Sequence, residues 1–137
     1  MSDVPHDPHD YQSPPPVPGV PGGVSQDAKT WAMICHLSSF AGYVIPVPGI
    51  NILAPFLVWN LKKDSDPYID INGKEAINFN ITWAIAALVS GLSIFCVVGV
   101  LLLPIVIIAG IVLVIIATIK ASGGEYYRYP LTIRFMK

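Results

Sequence analysis

The sequence predicts an all-α integral membrane protein: a four-helix transmembrane bundle with a short first hairpin that either spans or re-enters, behind a disordered N-terminal tail. Three observations carry that prediction. From Ala76 to Ile119 there is no charged side chain, a stretch of about 66 Å as helix at about 1.5 Å per residue. A bilayer core is about 30 Å thick, so the stretch can cross twice. Of the 137 residues 53% are hydrophobic and 12% charged, and a soluble domain carries roughly twice that charged share. Finally, prolines and glycines interrupt the apolar regions where helices must stop.

Residues 1–24 form the tail. Pro14-Pro15-Pro16-Val17-Pro18-Gly19-Val20-Pro21 cannot make a helix and favours extended polyproline II. A PxxP ligand is its functional alternative. His6 and His9 lie beside Asp7 and Asp10, but two histidines in a flexible tail form no closed metal-ligand set. The opening residues have neither a basic n-region nor an apolar h-region, so the first apolar helix is expected to be its own insertion signal.

The membrane domain, residues 25–137, is expected to hold helices at about 26–45, 51–63, 67–98 and 100–121. Ser25 caps the first, with Asp27 in its first turn. Pro46-Val47-Pro48-Gly49 stops it by removing donors and permitting a tight turn. Asn51 starts the second, which is only about 20 Å long. It spans a thinned bilayer with Lys62 and Lys63 snorkelling outward, or forms a re-entrant hairpin. Asp66 followed by Pro67 is an N-cap with proline at the first helical position. Gly99 is the expected break before the fourth helix, where Pro104 falls in the first turns.

Four crossings put the N-tail, the loop after helix 2 and the C-tail on one side. All eight Lys and Arg residues then share that side, and the two opposite turns carry no charge. Basic residues favour the cytoplasm, so a plasma-membrane protein with both termini cytoplasmic is expected. Cys35 and Cys96 fall at opposite ends of their helices, too far apart to bond.

Glu75, Asn78 and Thr82 are spaced i, i+3 and i+7, which puts them on one face of helix 3. His36, with Ser39, starts a second polar patch on helix 1 at similar depth. Polar groups in lipid are costly, so these face the bundle interior or the headgroups. A His36–Glu75 pair is geometrically conceivable, as a proton or ligand site or as interhelical hydrogen bonding. The loop from Asp64 to Glu75 has acids at calcium-loop positions 1, 3, 7 and 12, but Ile69 replaces the required glycine at position 6. No nucleophile motif, HExxH, P-loop or dinucleotide fingerprint is present. Neither an enzyme nor a cofactor is expected, and without basic stripes there is no nucleic-acid partner. The strip Tyr126-Tyr127-Arg128-Tyr129…Arg134-Phe135 alternates cations with aromatics and suits the headgroup interface or a partner protein.

Two stretches, Asp70-Ile71-Asn72-Gly73-Lys74-Glu75-Ala76-Ile77-Asn78-Phe79-Asn80 and Gly124-Glu125-Tyr126-Tyr127-Arg128-Tyr129-Pro130-Leu131-Thr132-Ile133-Arg134-Phe135, join the start Trp31 to Ser38 in resembling a widespread prokaryotic membrane family of unknown function. That family looks distantly similar to the twenty-kilodalton subunit of the chloroplast inner-envelope protein translocon. The resemblance covers residues 28–137. It implies a four-helix membrane domain and offers protein translocation as an analogy; it carries over no catalytic residue. The expected role is therefore a scaffold or accessory subunit acting through protein–protein contacts in the lipid bilayer, with a membrane-protein partner or as a homo-oligomer. The alternative is a small oligomeric channel or transporter, including a translocon-like component, built around the Glu75–Asn78–Thr82 face.

Overall fold

The computed structural model describes residues 23–136; the proline-rich tail expected over residues 1–24 lies almost wholly outside them. The described residues form helices and turns, with no strand. Helix α1 (Gln26–Leu37) begins where Ser25 accepts a hydrogen bond from the Ala28 amide, the expected cap. It tightens into a 3₁₀ turn at Ser38–Phe40 and ends with the helical turn Ala41–Val44. Helix α2 (Ile50–Lys62) starts behind Gly49, whose φ of 83° is open to glycine and strained for other residues. The N-cap is thus Gly49 and not Asn51, which sits inside the helix against the close approach of Gly42.

Helix α3 (Pro67–Leu92) has the Asp66 cap and the first-position proline that the sequence predicts, with Asp66 accepting from the Tyr68 amide at 2.8 Å. It continues as a 3₁₀ turn to Cys96. Helix α4 (Val98–Ser122) follows at once. The break is at Val97, φ 65°, rather than at Gly99. Gly99 is buried inside α4, where a Cβ would collide with the backbone of Ser90, Ser93 and Ile94. The glycine is needed for that close approach, and the valine takes the turn's positive φ. Pro67–Cys96 and Val98–Ser122 are both long and apolar enough to cross a membrane.

Helix α1 packs on α2, α3 and α4, and α3 packs on both α2 and α4. The bundle's termini are drawn to one end by specific contacts. The Tyr68 hydroxyl, at the start of α3, lies within hydrogen-bonding reach of the carbonyls of Ala121 (3.2 Å) and Glu125 (2.6 Å) at the end of α4. Trp59 near the end of α2 donates to Asp70 at 2.8 Å, and its ring covers Gly73, where a Cβ would overlap it. Lys62 lies 4.4 Å above the ring of Trp31 on α1, and Lys63 lies 4.6 Å above Trp59. Such cation–π contacts contribute about 0.5–1 kcal/mol each at exposed sites. Two apolar clusters fill this end. Ala28, Ala32, Cys35, Tyr68, Ile69, Ile77 and Ala121 form one, and Phe79, Val114, Ala117 and Tyr129 the other. Both cysteines are free, Cys35 buried and Cys96 exposed.

Candidate functional site

The polar residues of α3 face inward, and their partner is the chain's own C-terminal strip. Glu75 is 3% exposed. One carboxylate oxygen accepts from the Tyr129 amide at 2.6 Å, the other from the Arg134 guanidinium at 2.6 Å. One turn on, Asn78 makes a reciprocal pair with the Met136 backbone: it donates to the carbonyl at 2.8 Å and accepts from the amide at 2.7 Å. Thr82 accepts from the Ile133 amide at 3.0 Å and donates to the Asn78 carbonyl at 2.9 Å. The i, i+3, i+7 row is therefore a ladder that satisfies an irregular segment's backbone, much as a neighbouring strand would.

Chain direction explains the order of the rungs. From Tyr129 the strip runs along α3 to the level of Thr82, then returns to Asn78. A turn at Pro130–Leu131 precedes the Thr82 rung, and in it Leu131 takes φ 57°, a conformation uncommon for a side-chain-bearing residue. Leu131 is 90% exposed.

Tyr129 is the wedge of the site. Its ring stacks on Phe79 with centroids 3.9 Å apart and meets Tyr127 and His36 edge-on. Its hydroxyl lies 3.0 Å from His36 Nδ1, and His36 Nε2 lies 3.0 Å from the Asn72 side-chain oxygen. The Asn72 amide nitrogen donates to the Tyr68 carbonyl at 2.8 Å, which fixes the side-chain orientation. Nε2 is then the imidazole donor and Nδ1 accepts from Tyr129. Burial pushes the Tyr129 phenol above its ordinary range, and the Glu75 carboxylate adds to the push, so the hydroxyl keeps the proton it donates. His36 and Glu75 do not pair directly; Tyr129 bridges them, with its side chain on one and its backbone on the other.

Not every residue of the predicted strip is drawn in. Tyr126 and Tyr127 are half-buried against the two apolar clusters. Arg128 is exposed, and Phe135 is 51% exposed. Residues missed by the sequence reading are Tyr68, Asn72 and Phe79. Counted back from Glu75, Asn72 is at i−3 and Tyr68 at i−7, so extending the row two turns towards the N-terminus finds both, whereas Phe79 lies within the row at i+4 and carries no polar signal. Asn80 and Ser39 make a separate buried link at 2.6 Å. Among the described residues, no buried side-chain nitrogen or oxygen lacks a partner, and no cluster of His, Cys, Asp or Glu could hold a metal. The site is a latch between α3 and the C-terminal strip whose buried side-chain donors and acceptors are all partnered.

The latch lies within a recognisable sequence region. Residues 27–136 match the magnetosome magnetite crystal formation protein family, MamF/MmsF. The chain belongs to that family. No curated protein and no solved structure matches it. The match takes in all four helices and the latch, and leaves out the proline-rich tail. It corrects the resemblance drawn from the Asp70–Asn80 and Gly124–Phe135 strings, because the matching family is the MamF/MmsF family and not the prokaryotic family of unknown function or the translocon subunit. In the structure the two strings are the two halves of the latch.

Proposed function

We propose that this chain is a multi-pass protein of the magnetosome membrane, an accessory or scaffold subunit that serves magnetite crystal formation through protein–protein contacts and not through catalysis. The observation that carries this reading is the division of labour in α4. Only 17% of its most apolar stretch is buried among the described residues, although the helix runs 25 residues, about 37 Å. An apolar face of that extent needs lipid or another protein against it.

The latch supports the accessory role. Glu75, Asn78 and Thr82 are occupied by residues 129–136, so the face that suggested a channel is filled by protein. Orientation follows from charge. The contacts of Lys62, Lys74, Lys120 and Arg134 hold them at the end where α3 begins and α4 finishes. Basic residues favour the cytoplasm, so both termini are cytoplasmic and the turns at 45–50 and 93–97 face the lumen.

A membrane-impermeant maleimide tests the topology. In isolated, intact magnetosomes, whose cytoplasmic face is outermost, a Cys96→Ala, Lys137→Cys chain should label without detergent; labelling only after detergent lysis overturns the orientation. In-cell crosslinking tests the role. Recovery of a defined homo-oligomer or hetero-complex is expected, and recovery of the monomer alone at native expression overturns the scaffold reading.

A further inference from the structure

A groove lies beside the latch, between the first turns of α3 and the C-terminal strip. It encloses about 330 Å³ and is lined by three cationic side chains, Lys74, Arg128 and Arg134, with Glu75 and with apolar Ile71 and Met136. The cations are not equally engaged. Lys74 pairs with Asp70 at 2.7 Å and Arg134 with Glu75 at 2.6 Å, each through a single nitrogen. Their side chains are 27% and 26% exposed, and both line the groove while keeping N–H donors outside their ion pairs. Arg128 makes no ion pair among the described residues and is exposed. The groove therefore holds one uncompensated positive charge and several free donors around it. Tyr126 lines the same small volume as both arginines and Glu75.

The groove's level matters as much as its charge. Lys74 and Glu75 are the last charged residues before the charge-free run that ends at Ile119. In the membrane reading proposed above, this boundary is where lipid phosphates lie, with Ile71 and Met136 available to the glycerol and the first acyl carbons. Guanidinium groups suit phosphate because they present several N–H donors in a planar fork. A purely electrostatic site for a free anion would have no use for the apolar wall.

We propose that the groove bounded by Lys74, Arg128 and Arg134 is a headgroup site for an anionic phospholipid, which receives the lipid's phosphodiester. Only the source of the phosphate rests on the membrane reading, and the test below needs no bilayer, so its failure is distinct from a failed topology experiment.

The test is thermal unfolding of the full chain in a neutral detergent, because a ligand that binds the folded state raises Tm by mass action. Three probes are compared at equal concentration: dihexanoyl phosphatidylglycerol, dihexanoyl phosphatidylcholine and inorganic phosphate. Phosphatidylglycerol alone should raise Tm. Arg128→Gln should leave the lipid-free Tm unchanged, because that side chain has no partner to lose. It should weaken the apparent affinity for phosphatidylglycerol about fivefold, the size expected of one basic side chain near an anionic surface. No response to phosphatidylglycerol overturns the proposal, as does an equal response to phosphatidylcholine. So does an equal response to inorganic phosphate, which would mark a free-anion site. An Arg128→Gln chain that binds as the parent does would remove the assigned residue and with it the site.

Discussion

Helix α3 is two different objects along its length. From Tyr68 to Asn80 it buries Tyr68, Ile69, Asn72, Gly73 and every residue from Glu75 onward. From Ile85 to Leu92 it leaves Ile85, Leu88, Val89 and Leu92 between 45% and 64% exposed. Helix α4 mirrors the change: Val114, Ala117 and Ala121 are buried, while Val100, Leu101, Ile105 and Ile108 are at least 58% exposed. The polar end folds on its own resources, through hydrogen bonds, aromatic stacking and an ion pair. The apolar end is composed of residues that normally fill a core, yet nothing among the described residues covers them. Hydrophobicity is thus highest where burial within the chain is lowest. That inversion is what a lipid-facing surface requires, and it places specificity at the end rich in polar side chains.

The largest expected break in this contrast is Glu75→Gln. The substitution keeps the size of the side chain and removes the charge that faces Arg134. Breaking a buried ion pair while leaving one partner costs about 3 kcal/mol, and the Tyr129 amide bond weakens along with it. Urea unfolding in detergent should show that loss. Trypsin should also cut after Arg128 and Arg134 sooner than in the parent chain. Unchanged stability and unchanged cleavage together would mean that the strip is held by apolar contacts and not by the Glu75 rung.

A smaller effect is expected from Tyr129→Phe. The ring keeps its stack on Phe79, and only the hydroxyl bond to His36 is lost. One such bond is worth about 1 kcal/mol, measurable as a shift in the urea midpoint at constant slope. A cost as large as that of Glu75→Gln would make the His36–Asn72–Tyr68 chain, and not the carboxylate, the centre of the latch.

The sequence shows both halves of this latch but not their pairing. Periodicity puts Glu75, Asn78 and Thr82 on one face because helical neighbours are local, and the alternation of cations and aromatics marks Tyr126–Phe135 for the same reason. Their union spans 54 residues between Glu75 and Tyr129, and no local spacing encodes a contact of that range. The caps at Ser25 and Asp66 are legible because each satisfies helix donors within three residues. The break at Val97 is not: by composition the neighbouring glycine is the better turn former, and only the close packing of Gly99 on the Ser90–Ile94 backbone reverses the choice.

The smallest effect is expected at the other end, from Ile108→Ala. The same truncation in a packed core costs 2–5 kcal/mol, because it leaves a cavity that cannot collapse. Ile108 is 61% exposed, so detergent chains fill the space that the lost atoms leave. The stability of the isolated chain should then change by no more than about 0.5 kcal/mol. The measurement is informative because lipid and protein respond differently to the same deletion. Acyl chains rearrange around a smaller side chain, whereas a packed partner leaves a hole. Repeating the unfolding on the crosslinked assembly recovered from cells separates the two. A silent substitution in both preparations assigns this face of α4 to lipid. A loss confined to the assembly assigns it to the partner, and then the apolar end joins the polar one in carrying specificity.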